Sequence, residues 1–336
     1  MIIVMHPDAS SDEIDQVVAR LEALGADVQV TTEEGRTIVN GTTESRLNDE
    51  APWGLLPGVD RIVPEIAGGR RVGRQHKAAD TVVDVSGVLI GDGTFTVAAG
   101  PCAVESRNRL MEVAAAVKAA GAHMLRGDAF KPRTSPYSFQ GLGKAGLEML
   151  SEARDTYGLP VVAEVLDPRD VDLVAAHVDM LRIGTRNMSN YVLLKEVGRQ
   201  GKPVQLKRGR ASTIGEWIDA AEYIFNEGNR SVVMVERGVR GFDNTARNIL
   251  DISAVPIVKA MTHLPVMVDP SHAAGRKDLV APLALAAVAA GADGLLIDVH
   301  TEPGEALVDG AQALAPSEFE RLMTQMRAVK NALREA

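Results

Sequence analysis

The sequence predicts a parallel (β/α)8 TIM barrel, an α/β fold, preceded by a small α+β ferredoxin-like domain. Three observations predict it. The chain has 336 residues, more than one ordinary domain needs and suited to a barrel of about 250 residues with an appendage. From Phe95 onward, eight short apolar runs alternate with eight helix-like segments. Cys102, Arg126, Lys131, Arg186, Lys207, Arg237, His272 and Asp298 each sit at or just past the end of one of these runs. In a parallel barrel the strand C-termini all face one way and the active site is built there, so these positions are predicted to converge on one mouth.

Residues 1–66 read as the separate module. Ile2–Met5 is a short strand. Ser10 and Ser11 can cap a helix through Leu24, with Ile14, Val17, Val18 and Leu21 on one face and Gly25 ending it. Val28–Thr31, Thr37–Asn40 and Arg61–Ile66 read as strands, with a short, Pro-interrupted second helix around Trp53–Leu56. Residues 67–77, with their Gly68-Gly69-Arg70-Arg71-Val72-Gly73-Arg74 string, are the expected linker, and residues 78–336 the catalytic barrel. Val82–Val85 and Val88–Ile90 form a predicted hairpin placed to plug the barrel bottom. The barrel strands are read at Phe95–Ala99, His123–Arg126, Pro160–Val165, Met180–Gly184, Pro203–Lys207, Ser231–Glu236, Pro265–Val268 and Gly294–Val299. The helices are read at 106–120, 143–157, 168–176, 189–199, 212–228, 244–252, 278–290 and 316–333.

Composition narrows the function. Hydrophobic residues make up 46% of the chain and aromatics only 4%, so Ala, Val, Leu and Ile must build the core. A formal charge of −9 argues against a nucleic-acid partner and makes any cluster of cations a local feature. One cysteine excludes an internal disulfide and suits a reduced compartment. Met1–Pro7 lacks the basic start and apolar length of a signal peptide, and no run approaches the roughly 18 apolar residues of a membrane span. A cytoplasmic protein without a membrane segment is expected.

The motifs carry the chemistry. In Gly100-Pro101-Cys102-Ala103-Val104-Glu105-Ser106, Ser106 looks like a helix cap, which leaves Cys102 in a strand-to-helix loop. The stretch Leu125-Arg126-Gly127-Asp128-Ala129-Phe130-Lys131-Pro132-Arg133-Thr134-Ser135-Pro136-Tyr137-Ser138-Phe139-Gln140-Gly141 places three cations within eight residues in a loop stiffened by two prolines. Arginine forks match phosphate and carboxylate bidentately, and Thr134 and Ser135 add hydroxyl donors. Arg186, Lys207 and Arg237 follow apolar strands beside Gly184, Gly209 and Gly238, and together they predict an anion pocket. His272, in Val268-Asp269-Pro270-Ser271-His272, joins Cys102, Asp298 and Asp309 as a plausible mixed S/N/O metal set. The residue types describe an enzyme for highly anionic substrates.

These strings resemble the metal-dependent 3-deoxy-D-arabino-heptulosonate 7-phosphate (DAHP) synthases, closest to the type I beta branch with its N-terminal ferredoxin-like domain. The resemblance covers about residues 78–333 and rests on Gly-Pro-Cys-Ala-Val-Glu-Ser, Lys-Pro-Arg-Thr-Ser-Pro-Tyr-Ser-Phe-Gln-Gly, Leu-Lys-Arg-Gly, Glu-Arg-Gly and Val-Asp-Pro-Ser-His. It implies a transferase that condenses phosphoenolpyruvate with erythrose 4-phosphate and water at the entry to the shikimate pathway and aromatic amino acid biosynthesis. By resemblance, Cys102, His272, Asp298 and Asp309 take the metal positions, for Mn2+ first and Fe2+, Co2+ or Zn2+ otherwise. Arg126, Lys131, Arg186, Lys207 and Arg237 surround phosphoenolpyruvate, Arg133 and Thr134 meet the aldose phosphate, and Asp269 lies near its sugar. Lys131 is the expected proton donor to the new alkoxide, and Glu164 a residue that helps position water. A homo-oligomer, tetramer or dimer, and allosteric regulation by tyrosine or phenylalanine through residues 1–66 are also implied.

The chain departs from that pattern at three places. Asp298 stands where a glutamate is usual, Asp128 where a glycine is expected, and Thr301 where a proline is usual. Two other functions compete with this reading. A 3-deoxy-octulosonate 8-phosphate synthase carries Ala-Asn-Arg-Ser after its loop lysine, whereas Pro132-Arg133-Thr134-Ser135 follows Lys131 here. A catalytically silent regulatory homologue is supported only by Asp298, against an intact cation set.

Overall fold

The structure, a computed structural model, describes residues 2–33, 36–42, 53–63 and 70–335. The chain divides into two compact units, Met1–His76 and Lys77–Ala336.

The first unit is a four-stranded antiparallel sheet with one helix. Its elements are β1 (Ile2–Met5), α1 (Ser11–Glu22), β2 (Asp27–Glu33), β3 (Arg36–Thr42), a 3-10 turn at Trp53–Leu55 and β4 (Val59–Val63), in the sheet order β2-β3-β1-β4. That is the ferredoxin-like order, with the 3-10 turn Trp53–Leu55 described between β3 and β4. Ser10 accepts from the Glu13 N–H while the Glu13 carboxylate accepts from the Ser10 N–H, a reciprocal cap that fixes the start of α1. Val17 and Leu21 on its inner face pack with Ile3, Met5, Val39, Trp53 and Val59. The expected strand Arg61–Ile66 is observed as Val59–Val63, and residues 43–52 and 64–69 lie outside the described residues.

The second unit is the barrel. A hairpin, β5 (Val83–Val85) and β6 (Val88–Ile90), precedes eight parallel strands: β7 (Thr96–Gly100), β8 (Met124–Arg126), β9 (Val161–Val165), β10 (Met180–Ile183), β11 (Val204–Lys207), β12 (Val232–Glu236), β13 (Val266–Val268) and β14 (Gly294–Asp298). They close in sequence order, with β14 pairing β7 from Gly294↔Thr96 to Asp298↔Gly100. The helices are α2 (Arg107–Ala119), α3 (Lys144–Tyr157), α4 (Val171–Ala175), α5 (Tyr191–Gln200), α6 (Ile214–Asn226), α7 (Ala254–Met261), α8 (Pro270–Ala274), α9 (Lys277–Ala289) and α10 (Pro316–Glu335). Every residue of the eight strands is buried, which explains why they read as continuous apolar runs rather than alternating ones. Val83, Val85 and Ile90 of the hairpin join Ala98, Met124, Val162, Met180, Val233 and Met267 in one cluster, so the hairpin does plug the barrel. No helix among the described residues is long and apolar enough to cross a membrane.

The barrel differs from the sequence reading in a short extra helix, α8, and in one expected helix. The helix expected over 244–252 is absent; α7 starts at Ala254 instead. Competing backbone partners explain the shift. Val239 and Ile249 exchange an antiparallel pair of hydrogen bonds, and the Arg247 and Asn248 N–H groups donate to the Ala274 and Ala273 carbonyls at the end of α8. The Asp251 carboxylate then accepts from Ser253 Oγ at 2.5 Å and the Ala254 N–H at 3.2 Å, which starts the helix, and Pro256 falls in its first turn where no N–H is needed.

Truncating the plug tests its place in the barrel core. Ile90→Ala leaves a cavity against fully buried neighbours and is expected to cost roughly 2–5 kcal/mol of barrel stability. Chemical denaturation followed by circular dichroism reads this directly, and an unchanged midpoint would place the hairpin outside the cooperative core.

Candidate active site

All eight residues singled out at strand ends lie at one end of the barrel. Ser106 caps α2, its Oγ accepting from the Arg109 N–H, and the preceding loop carries Cys102 over the mouth. Gly100 is required there: a Cβ on it would sit 2.1 Å from the Arg126 carbonyl oxygen. Asp269 caps the short helix α8 by accepting from the His272 N–H at 2.9 Å, so Asp-Pro-Ser-His is a strand end, a helix cap and a presented imidazole in four residues. Asp309 holds left-handed backbone at φ +56, a conformation uncommon for a non-glycine residue, and starts a 3-10 turn at Gly310–Gln312.

Three donor atoms converge. Cys102 Sγ is 3.7 Å from His272 Nε2 and 3.2 Å from Asp309 Oδ2, and His272 Nε2 is 3.5 Å from Asp309 Oδ2. A tetrahedral centre with ligand bonds of about 2.0–2.3 Å separates its donors by about 3.3–3.7 Å, so the triangle fits a divalent cation. The other imidazole nitrogen, Nδ1, lies 3.0 Å from Asp269 Oδ2, the carboxylate that orients the ring from behind. Asp298 lies close enough to belong with Cys102 and His272, but both its oxygens are already engaged. Arg126 Nη1 donates to Oδ1 at 2.7 Å and Gln312 Nε2 to Oδ2 at 2.6 Å. Burial pushes the Cys102 thiol up to about 12, with Lys131 pulling the other way. Cys102, His272 and Asp309 would hold a divalent cation there, whose charge would favour the thiolate form of Cys102.

Beside the triangle lies a cavity of about 370 Å3 lined by nine cationic side chains: Arg126, Lys131, Arg133, Arg186, Lys207, Arg210, Arg237, Arg240 and Arg247. Thr134, Ser135, Asp128, Glu164, His272 and Asp309 also line it. Lys131 Nζ stands at the junction, 3.2 Å from Cys102 Sγ, 3.1 Å from the Cys102 carbonyl and 2.7 Å from Asp128 Oδ2. Burial opposes its charge, but Asp128 and then Cys102 outweigh burial and hold the ammonium above its ordinary range. Lys207 is pulled the opposite way, lowered by burial despite its 2.5 Å pair with Asp269. Burial also lowers Arg237 to about 10. Its guanidinium donates to the Gly238 and His272 carbonyls at 3.2 Å. Gly238 at φ +86 has no room for a Cβ, which would meet Asn248 and Ala273. Arg133 is fixed by a 3.0 Å bond to the Phe139 carbonyl.

The structure therefore brings Cys102, His272 and Asp309 together, gathers Arg126, Lys131, Arg133, Thr134, Arg186, Lys207 and Arg237 on one cavity, and sets Asp298 just behind. Asp269 is 1% exposed, outside the cavity lining, and paired with Lys207 and His272. Sequence reading missed Arg182, Arg210, Arg240, Arg247 and Gln312. Arg182 carried a signal, a charge inside the fully buried Met-Leu-Arg-Ile strand. Arg247 was obscured by the helix expected over 244–252.

The comparisons agree with this geometry. The family model described as DAHP synthetase I family matches residues 75–335, and the DAHP synthase ferredoxin-like domain matches residues 1–64. The chain belongs to the DAHP synthetase I family. A phospho-2-dehydro-3-deoxyheptonate aldolase of Thermotoga maritima is 44% identical over 99% of this chain and 98% of its own length. The solved structure of a DAHP synthase from Thermotoga maritima superposes with a TM-score of 0.85 at 44% identity, covering 99% of this chain and 97% of that one. A 2-dehydro-3-deoxyphosphooctonate aldolase of Nitrobacter winogradskyi is more distant, 33% identical over 76% of this chain and 94% of its own. The activity is that of a DAHP synthase, an enzyme of the transferase class, and the octulosonate alternative is a distant relationship only.

Two substitutions test the donor set. Cys102→Ala is expected to lose divalent-metal binding, measured by calorimetry, while the circular dichroism of the barrel is retained; metal affinity equal to the parent would remove Cys102 from the set. Asp298→Glu lengthens the side chain by one methylene and is expected to fold and to change metal affinity or preference. Identical titrations would instead leave Asp298 as the holder of Arg126 and Gln312.

Proposed function

We propose that this cavity condenses phosphoenolpyruvate with erythrose 4-phosphate, and that the cations and donors named above divide the work. The observation that carries the reading is nine cations on one cavity beside a thiol, an imidazole and a carboxylate, in a protein of net charge −9. Phosphoenolpyruvate bears a carboxylate and a phosphate, and removing them from water needs several fixed cations. Arg126, Lys131, Arg186, Lys207 and Arg237 are assigned to it, and Arg133 and Thr134 to the aldose phosphate. Asp269 is assigned to orienting His272 and Lys207, on the contacts it makes.

Cys102, His272 and Asp309 would hold the divalent cation, with Asp298 next to them; a thiolate donor favours Mn2+, Fe2+, Co2+ or Zn2+ over Mg2+. When bound, the ion supplies Lewis-acid polarisation of the aldehyde carbonyl. The protein's own residues do the rest. C3 of the enol attacks the aldehyde carbon, and Lys131, an ammonium held beside the donor triangle, gives its proton to the new alkoxide. Water adds at C2, and Glu164 on the cavity wall is the residue assigned to place it; burial and then the Asp128 charge hold its carboxyl above the ordinary range. The hemiketal phosphate then collapses and phosphate leaves, its charge met by the arginines.

The first unit is proposed to be an amino-acid-responsive module, with tyrosine or phenylalanine as effector, in a homo-oligomeric cytoplasmic enzyme. The unit has its own core, and its sheet leaves β2 and β4 as edges able to pair between subunits. The first committed step of a pathway is a sensible point of control.

With manganese and both substrates, the protein is expected to release inorganic phosphate, and none released would overturn the reading. Arg186→Ala should raise the KM for phosphoenolpyruvate about 10- to 100-fold with a smaller change in kcat. Deleting residues 1–66 should keep turnover and abolish inhibition by the effector. The regulatory role fails if tyrosine, phenylalanine, tryptophan, chorismate and prephenate all leave the full-length enzyme unaffected.

A further inference from the structure

We infer that Asp128 is an internal anion that sets the cavity's affinity for anionic substrate, by partly neutralising Arg126, Lys131 and Arg182. The inference rests on the reading that the cavity takes phosphoenolpyruvate. Asp128 is fully buried two residues past the end of β8, and both its oxygens are engaged. Oδ1 accepts from the Glu164 N–H at 2.9 Å and from the Arg182 guanidinium. Oδ2 accepts from Lys131 Nζ at 2.7 Å and lies 3.4 Å from Arg126 Nη2.

Three cations thus share one carboxylate, with Arg126 also paired to Asp298. The arrangement remains short of acceptors: Arg182 Nε and Nη1 and Arg126 Nε are buried without a hydrogen-bond partner. A buried guanidinium without a full complement of acceptors draws an anion toward it, and Arg126 and Lys131 face the cavity where one arrives. Asp128 weakens that pull. It also fixes Lys131 against Cys102, because the ammonium has the Asp128 carboxylate on one side and Sγ on the other. Asp128 therefore trades tightness of substrate binding for a lysine held in position, so its removal should move KM and kcat in the same downward direction. A residue present only to neutralise Arg182 for folding would move neither in that pattern.

Asp128→Asn keeps the side-chain shape and an acceptor for the Glu164 N–H while removing the charge. The KM for phosphoenolpyruvate and the inhibition constant for inorganic phosphate are expected to fall roughly fivefold or more, with a lower kcat. Inorganic phosphate should also raise the melting temperature of this variant more than that of the parent. Adding Arg182→Met to Asp128→Asn restores the charge count, and KM should return to within about twofold of the parent. If Asp128→Asn alone does not fold, the same comparison is made on Arg182→Met, where adding Asp128→Asn must lower a raised KM. Unchanged KM and phosphate inhibition on removing the Asp128 charge overturn the inference and leave the substrate reading standing. A parent protein whose melting temperature responds to neither phosphoenolpyruvate nor phosphate, and which does not turn over, overturns the substrate reading and this inference with it.

Discussion

Arg126 joins the two halves of the site, and much of the mouth is arranged around its charge. Its Nη1 donates to Asp298 Oδ1 at 2.7 Å and to the Pro101 carbonyl at 2.9 Å, next to the donor Cys102. Its Nη2 faces Asp128, and through Asp128 it is coupled to Lys131 and Arg182. A guanidinium buried at this depth must be compensated, or the folded state bears an uncompensated charge worth about 3–5 kcal/mol. Burial opposes its charge, and Asp298 followed by Asp128 more than restores it, which holds Arg126 above its ordinary range. The same pairings that allow the charge to be buried therefore fix the Cys102 loop against the cavity.

The barrel makes such an arrangement possible because it separates two demands. The lower part of its interior is filled mainly by apolar side chains, including those of the β5–β6 hairpin, which supply the hydrophobic core. The upper ends carry Arg126, Lys207, Glu236 and Asp298 as the last residues of their strands, each already paired. Glu236 and Arg208 show the rule away from the chemistry: their pair at 2.8 Å, shared with Asp251, braces the loop that carries Arg237 into the cavity. Dipoles and charges fixed before substrate arrives need no reorganisation during reaction, the property that makes electrostatic stabilisation effective.

Most of the barrel could be read from the sequence because short, mainly apolar strand segments alternate with longer helix-like ones. Strands buried on both faces gave unbroken apolar runs, and Ser106 and Ser10 marked helix starts by their capping chemistry. The segment 244–252 misled because its pattern suits a helix, while the Val239–Ile249 pairing and the α8 carbonyls that claim its backbone are distant in sequence. The same non-local effect hid Arg247, whose Nη1 reaches Asp309 at 3.2 Å and Gln312 at 3.0 Å. The motifs pointed to Cys102, His272 and Asp309, which lie within 3.7 Å of one another, but gave no sign that Asp269 pairs with Lys207 and His272.

Asp298 shows how a short carboxylate can stand beside the donor cluster without loss of the surrounding order. One methylene fewer than glutamate withdraws the carboxylate by roughly 1.5 Å, far more than the about 0.2 Å that a metal bond tolerates. The withdrawn oxygens are not orphaned, because Arg126 and Gln312 hold one each. Gln312 in turn passes its own carbonyl to Arg247, which also grips Asp309. Asp309 is thereby held in its left-handed conformation with Oδ2 on Cys102 Sγ. A chain of four side chains thus runs from the recessed carboxylate back to the donor triangle. A change at position 298 would therefore be felt at Asp309 as well as at its own site, through hydrogen bonds that run from the buried carboxylate out to the cavity wall.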